Sequence, residues 1–122
     1  MALDFGFVLF FVADPHVSAR FYEDLLETPP VEESDTFALF PLQNGTMLGL
    51  WSPKSAHPDP SGGPGSAEIA FLTDDVDAVY ADWTRRDIPT ATAPVDLDFG
   101  RTFIATDPDG HRIRVMRLFE NE

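Results

Sequence analysis

The side chains that could bind a metal or move a proton are few and widely spaced in this sequence. The histidines are His16 at the predicted start of a helix, His57 in a Pro- and Gly-rich segment, and His111 beside a turn. No two of them share the short spacing of a metal-binding pair, and the absence of cysteine excludes thiolate catalysis and zinc–cysteine sites. We therefore expect these histidines to be exposed to solvent rather than to act as ligands.

Acidic residues are numerous without forming a recognisable site. The stretch TDDVDAVYAD, residues 73–82, lacks the spacing of an EF-hand loop. Acids at the start of a helix interact favourably with its dipole, which is sufficient reason for them here. No serine with a partnered histidine is found, and no glycine-rich phosphate loop follows a strand. Nucleophilic catalysis by serine and phosphate-loop chemistry are therefore disfavoured.

Basic residues are scarce and concentrated near the C-terminal end. The chain has 8 basic and 21 acidic residues, a formal net charge of −13, and Arg112, Arg114 and Arg117 all fall in HRIRVMRL. Such a charge repels phosphate backbones and anionic lipids, so we expect neither nucleic acid nor a membrane surface as a partner. Strand alternation places Arg112 and Arg114 on one face and Arg117 on the other.

The length and composition predict one globular domain over residues 1–122. Its 122 residues include 43% hydrophobic ones, enough for a single modest core that dimerisation could supplement. The apolar run in MALDFGFVLFFVADP is too short to span a bilayer and lacks a basic segment before it. We therefore expect a cytoplasmic protein.

The first half of the chain has the pattern β-α-β-β-β. A strand is predicted in FGFVLFFVA (5–13), followed by a helix with Asp14 as its cap and Pro15 in its first turn. A weak strand is expected near Val31–Ser34. TFALFPL and TMLGLW then flank QNG, and Asn44-Gly45 is a strong hairpin signal.

The second half repeats this order, so the two halves form an internal repeat. AEIAFLT predicts a strand, Asp74 or Asp75 a cap, VDAVYADWTRRD a helix, and three further strands follow in IPTATAPVD, GRTFIAT and RIRVMRL. We place module one at residues 1–52, a connector or lid at 53–65, and module two at 66–119. The closing turn DPDG corresponds to QNG in the first half.

The repeated strand–helix pattern, the pair Phe21-Tyr22 and the closing DPDGHRIRV resemble the vicinal oxygen chelate superfamily. This group includes glyoxalase I, bleomycin-resistance proteins and extradiol dioxygenases, and the small antibiotic-resistance members of phenazine or bleomycin type are the most similar. The resemblance covers nearly the whole chain. It implies an α+β fold of two tandem βαβββ modules, whose curved mixed sheets surround a cavity and which usually form a homodimer.

The resemblance also implies that a metal site has been lost. In metal-dependent members the ligands stand at positions that correspond to Phe7, Gly49, Glu68 and Arg114. Only Glu68 of these could bind a metal, whereas such sites need three or four donors. We expect no metal and no cofactor.

The register of the repeat brings Glu68 and Arg114 together on neighbouring strands. Isolated buried charges are costly, so the two should pair. The pair is then either a neutral plug in place of the metal or a polar contact for a ligand, since a guanidinium can hold a carboxylate or stack on a ring.

Aromatic residues should form the remainder of a ligand site. We expect the ligand to contact Phe7, Met47 and Trp51 in module one, together with Glu68 and Arg114. Phe40 and Phe103 are expected as walls, and Phe99, before Gly100, as a gate. Trp51 has an equally good explanation in the packing of a dimer.

These expectations favour metal-independent binding of a planar aromatic small molecule, with antibiotic resistance by sequestration as the role. The alternative is a metal-free isomerase, lyase or hydrolase with Glu68 as general base. A third hypothesis is a partner-binding domain with a vestigial cavity. Whether the protein is an enzyme stays open at this point, with binding favoured over catalysis.

Overall fold

The computed structural model describes residues 7–55, 64–97 and 100–120. Within it the chain divides into two compact units, Met1–Ser66 and Ala67–Glu122. Each unit contains one predicted module, so we call them module one and module two. Most of the predicted connector, including His57, and the predicted gate residue Phe99 lie outside the described residues.

Module one consists of a four-stranded sheet and one helix. Strand β1 is Phe7–Phe11, helix α1 is Pro15–Leu26, and strands β2, β3 and β4 are Glu32–Glu33, Phe37–Pro41 and Met47–Trp51. The strand order is β1-β4-β3-β2, with β1 parallel to β4 and the other pairs antiparallel. The predicted βαβββ order is confirmed.

Local sequence signals account for the boundaries of α1 and of the hairpin that follows it. The carboxylate of Asp14 accepts a hydrogen bond from the backbone N–H of His16 at 2.9 Å, and Pro15 opens the helix. The turn between β3 and β4 needs left-handed backbone, with φ of 68° at Asn44 and 78° at Gly45. Both signals were predicted correctly.

Module two repeats this architecture. Strand β5 is Glu68–Leu72, helix α2 is Val76–Arg85, and strands β6, β7 and β8 are Val95–Asp96, Gly100–Thr106 and Arg112–Leu118. The strand order is β5-β8-β7-β6, with β5 parallel to β8 and the other pairs antiparallel. Asp75 caps α2 by accepting from the N–H of Ala78 at 3.0 Å. The segment IPTATAPVD forms only the two-residue β6 and a bridge from Thr90 to Ala105, so its predicted strand is shorter than expected.

Each helix covers one face of its own sheet, and that face holds the core. In module one the rings of Phe10 and Tyr22 lie 6.3 Å apart, and Phe40 is fully buried. In module two Tyr80 and Trp83 pack edge-on against Phe103, with ring centroids 5.2 and 5.5 Å apart. Because strands alternate, the residues between these point to the other face, which the helix leaves open.

Candidate functional site

The open face of module one is almost entirely apolar. Register places Phe7 beside Met47, Leu9 beside Gly49, and Phe11 beside Trp51 on this face, while Phe37 pairs with Trp51 from the other side. An open depression of about 360 Å³ lies on it, lined by Phe7, Leu9, Phe37 and Trp51. Phe7 is 55% exposed and Leu9 43%, which is unusual for a clustered apolar pair. Phe7 and Trp51 therefore lie together as expected, with Met47 on the same face.

Trp51 is held in one orientation by contacts on three sides. Its indole lies 6.1 Å from the ring of Phe11 in a nearly parallel arrangement and 6.2 Å from Phe37 edge-on. The indole Nε1–H donates to Ser55 Oγ at 3.1 Å. A ring fixed in this way loses little conformational entropy when a planar molecule stacks on it. Strand alternation from Phe7 predicts Leu9 on the same face, whereas sequence reasoning missed Phe37, which strand pairing across the Asn44-Gly45 hairpin would have found.

The space above Gly49 is filled by the side chains of Leu9 and Phe37. A Cβ atom at Gly49 would lie 2.4 Å from Leu9 Cδ2 and 3.1 Å from the ring of Phe37. Because Gly49 has no side chain, Leu9 and Phe37 pack directly against the backbone of the strand. Gly49 thus allows close packing and does not create a hollow.

The expected places of Phe40 and Phe103 as walls are wrong. Both side chains are fully buried on the helix-covered faces, because Phe40 pairs with Leu48 and Phe103 with Val115, residues that point into the core. The sequence left open which face the third strand of each module turns to the cavity, and the structure turns Phe40 and Phe103 to the core. Phe37 takes the place that was expected for Phe40.

The open face of module two carries an ion-pair cluster. Glu68 Oε2 accepts from Arg114 Nε at 3.1 Å, and Glu68 Oε1 lies 3.2 Å from Arg112 Nε. Arg114 also donates from an Nη group to Thr102 Oγ1 at 3.1 Å, and that hydroxyl donates to the carbonyl of Val115 at 2.9 Å. The Arg114 side chain is 16% exposed, so this network fixes it. Glu68 and Arg114 are therefore paired as predicted, with Arg112 as an additional member.

The four positions at which the family resemblance implies metal ligands do not supply a ligand set. The side chains of Phe7 and Arg114 have no atom that can coordinate a metal cation, and Gly49 has no side chain. Both carboxylate oxygens of Glu68 face guanidinium groups. Among the described residues, no three His, Cys, Asp or Glu side chains lie close enough to hold an ion. The residues present at these positions do not fit a metal.

The two described histidines, His16 and His111, both form side-chain contacts, although we expected exposed side chains. His111 is fully buried and its Nδ1 lies 2.8 Å from Asp107 Oδ2. Asp107 Oδ1 accepts from the backbone N–H groups of Asp109 and His111 at 3.0 and 2.8 Å, which organises the DPDG turn. The buried Asp107–His111 pair is thus structural, and the expectation for His111 is wrong.

His16 is half-exposed, and carboxylates lie at both of its ring nitrogens. Glu33 Oε2 lies 2.5 Å from Nδ1 and Asp35 Oδ1 lies 2.9 Å from Nε2. Only the imidazolium can donate from both nitrogens, and the hydrogen bonds to Glu33 and then Asp35 raise the pKa of His16 above its ordinary value. Arg20 pairs with Glu33 as well, so the cluster links α1 to β2.

Residues 4–115 match the superfamily described as Glyoxalase/Bleomycin resistance protein/Dioxygenase. The chain belongs to this superfamily. The phenazine antibiotic resistance protein EhpR of Enterobacter agglomerans is 30% identical over 116 residues, which cover 90% of this chain and 88% of EhpR. The resemblance inferred from the sequence is therefore confirmed.

Solved structures of similar proteins agree with the fold. The protein ATC0852 of Agrobacterium tumefaciens is 39% identical, with a TM-score of 0.81 over 98% of this chain and 100% of its own. A glyoxalase/bleomycin resistance protein/dioxygenase from Nocardioides has a TM-score of 0.82 at 20% identity, over 100% of this chain and 87% of its own. In the described part of the chain, neither helix has the length and apolar character needed to cross a bilayer.

Proposed function

We propose that this protein binds a planar aromatic small molecule on the open face of module one and thereby protects against an antibiotic, without turnover. The exposed apolar face of Phe7, Leu9, Phe37 and Trp51 carries the proposal, because a soluble chain rarely exposes such a cluster without an occupant. The name of EhpR, a phenazine antibiotic resistance protein, supports the same class of ligand. Phenazine is itself planar and aromatic.

The geometry suits stacking. An indole that is fixed by Phe11, Phe37 and Ser55 offers a preformed surface, and each ring contact contributes about 0.5–1.5 kcal/mol beyond the burial of apolar area. Micromolar binding needs about 8 kcal/mol in total. Two ring contacts supply about 1–3 kcal/mol of this. Burial of the ligand's apolar area, at about 25 cal/mol per Å², must supply the remainder and offset the entropy lost on association.

The alternative of a metal-free enzyme has less support in the geometry of Glu68. Each of its carboxylate oxygens already faces a guanidinium, so accepting a proton from a substrate would require Arg112 or Arg114 to withdraw. No second acid or base lies in this network among the described residues. Metal independence and homodimer formation stay predictions, as does the contribution of Trp51 to a dimer.

Isothermal titration calorimetry with phenazine tests the proposal. The Trp51→Ala/Phe37→Ala double variant should bind at least about tenfold more weakly, since the loss of two ring contacts is worth more than about 1.4 kcal/mol. Phe119→Ala is the matched control, because Phe119 is an aromatic ring that belongs to module two and is 40% exposed. Full retention of binding by the double variant, with thermal unfolding unchanged, would sink the proposal.

Turnover is checked in the same samples. Phenazine recovered after long incubation, with and without added divalent cation, should be chemically unchanged by mass spectrometry. Conversion that disappears in Glu68→Gln would establish the enzyme instead.

A further inference from the structure

The surface proposed for the ligand has almost no hydrogen-bonding capacity of its own. The depression in module one is lined by Phe7, Leu9, Phe37 and Trp51, and the one polar atom in these four side chains is Nε1 of Trp51. The N–H group at that atom donates to Ser55 Oγ at 3.1 Å. A ligand on this surface therefore contacts carbon atoms and ring faces, and the lining side chains hold no donor in reserve for it.

The hydroxyl group of Ser55 is held in a fixed direction. It donates its proton to the carbonyl of Ser52 at 3.1 Å, so its oxygen faces the indole as an acceptor. The backbone N–H of Ser55 donates to the same carbonyl at 3.1 Å, which closes the turn at residues 52–55. Ser52 is buried, and its own N–H donates to the carbonyl of Thr36 at 2.9 Å. A chain of hydrogen bonds thus runs from Thr36, next to β3, through Ser55 to the indole.

This chain determines what Trp51 offers to a ligand. The indole N–H is a donor only, and without a partner it would compete for water or for an acceptor atom on the ligand. With Ser55 in place the donor is occupied and the ring keeps its plane, so stacking is the contact that remains. A charged group on the ligand meets no counter-charge in the four lining side chains, and the formal charge of −13 repels anions.

We infer that the depression in module one selects uncharged planar rings held by stacking alone, and that Ser55 is the positioning residue that imposes this selectivity through Trp51. A polar ligand group pressed against the lining would lose its water without gaining a partner, which weakens binding. Lys54 is exposed and belongs to the same turn, so its ammonium group is the rival explanation that a test must address. This inference deepens the proposed function by naming the class of ligand, and it rests on that function for the site.

A matched pair of ligands tests the selectivity for charge. Phenazine-1-carboxamide and phenazine-1-carboxylate have the same ring and nearly the same size, and only the second is charged at neutral pH. Calorimetry at low ionic strength should show the carboxamide bound at least about threefold more tightly, and Lys54→Gln should not reduce this ratio. A carboxylate bound as tightly as the carboxamide would overturn the inference. A carboxylate preference that disappears in Lys54→Gln would overturn it as well, by assigning recognition to Lys54.

Substitutions of Ser55 test its role. Ser55→Ala removes the acceptor of the indole N–H, so it should weaken phenazine binding about threefold or more. It should also narrow the preference for the carboxamide, because the freed N–H can donate to a carboxylate, and a purely structural role would not change this ratio. Ser55→Thr keeps the hydroxyl group and should restore both the affinity and the ratio. Wild-type affinity and ratio in Ser55→Ala would overturn the inference.

The chain has 2 tryptophans, which provides an internal reference. In ¹H–¹⁵N spectra the Nε1–H signal of Trp51, identified by its loss in Trp51→Phe, should move in Ser55→Ala and stay near its wild-type position in Ser55→Thr. The signal of Trp83, which is buried in module two, should stay unchanged in both. A Trp51 signal that does not move in Ser55→Ala would show that Ser55 does not hold the indole, and the inference would fail.

The outcomes separate this inference from the proposed function. If phenazine does not bind, or if it binds the Trp51→Ala/Phe37→Ala variant as it binds the wild-type protein, the aromatic site fails and the inference fails with it. If phenazine binding requires Trp51 but is indifferent to Ser55→Ala, only the inference is overturned and the aromatic site stands.

Discussion

Module one and module two have the same topology, but their open faces differ in chemical character. Both consist of a strand, a capped helix and three strands, in the sheet orders β1-β4-β3-β2 and β5-β8-β7-β6. The open face of module one holds Phe7, Leu9, Phe37 and Trp51, whereas that of module two holds Glu68, Arg112 and Arg114. The faces that the helices cover are alike, since both hold aromatic and branched side chains.

This difference shows which face of each sheet the fold requires to be apolar and which face can vary in chemistry. The helix-covered face must be apolar because it supplies the core of each module. The open face does not contribute to that core, so its chemistry is free to differ between the two halves of the repeat. Residues that differ between equivalent open positions are therefore the better candidates for function.

The largest effect that would test this comparison is on stability. Phe40→Ala and Phe103→Ala should each lower the free energy of unfolding by about 3–5 kcal/mol, because both rings are fully buried beneath a helix. Phe37→Ala, on the open face, should cost much less. Urea denaturation measures all three, and a mild effect of Phe40→Ala with a loss of phenazine binding would reverse the assignment of faces.

A smaller effect on stability should show how strongly Glu68 and Arg114 are coupled in module two. Glu68→Gln removes the partner of an arginine that is 16% exposed and should destabilise by about 1–3 kcal/mol. Glu68→Leu combined with Arg114→Met should recover most of this loss, since both charges leave together. Denaturation curves of the single and double variants form the cycle. A double variant as unstable as the sum of the single changes would show that the two charges are not coupled.

The smallest effects are changes of stability with pH. The contribution of the His16 cluster in module one is lost as pH rises, whereas that of Asp77 in module two is lost as pH falls. The pKa of His16 is raised by Glu33 and Asp35, so its contribution to stability is complete below 6.5, the ordinary value, and is lost as pH rises through the raised pKa. Arg101 donates to Asp77 at 2.8 and 2.9 Å and lowers its pKa, so that contribution is complete above 3.8 and is lost as pH falls through the lowered pKa.

Thermal unfolding across pH checks both signs. His16→Gln should lower Tm at about pH 5.5 and match the wild-type protein at about pH 9, while Asp77→Asn should lower Tm at neutral pH and less so below pH 3.8. An effect of His16→Gln that grows towards alkaline pH would contradict the first assignment. Both groups are exposed, so salt should reduce both effects.

The sequence predicted the fold well because its signals are local. Asp14-Pro15 and Asp75 mark helix starts, Asn44-Gly45 marks a turn, and alternation correctly placed Arg112 and Arg114 on one face. The pairing of Glu68 with Arg114 followed from the repeat, and the structure agrees. These features depend on neighbours in the chain or on one strand pairing.

The wrong predictions depended on register over a longer distance. The alternation within TFALFPL is equally compatible with Phe37 or Phe40 on the open face, and only the pairing of Phe37 with Trp51 decides it. His111 beside a Pro-Gly turn gave no signal of burial, since its partner Asp107 belongs to the same turn. The sequence likewise could not show that Leu9 and Phe37 would cover Gly49.

The side chains that cover Gly49 restrict which residues position 49 can accept. A histidine or glutamate introduced there would displace the side chains of Leu9 and Phe37, because a Cβ atom at Gly49 would lie 2.4 Å from Leu9 Cδ2 and 3.1 Å from the Phe37 ring. The displacement would disturb the apolar lining of the depression on the open face. Residue 49 therefore sets the shape of the surface on which the proposed ligand stacks, although it presents no side chain of its own.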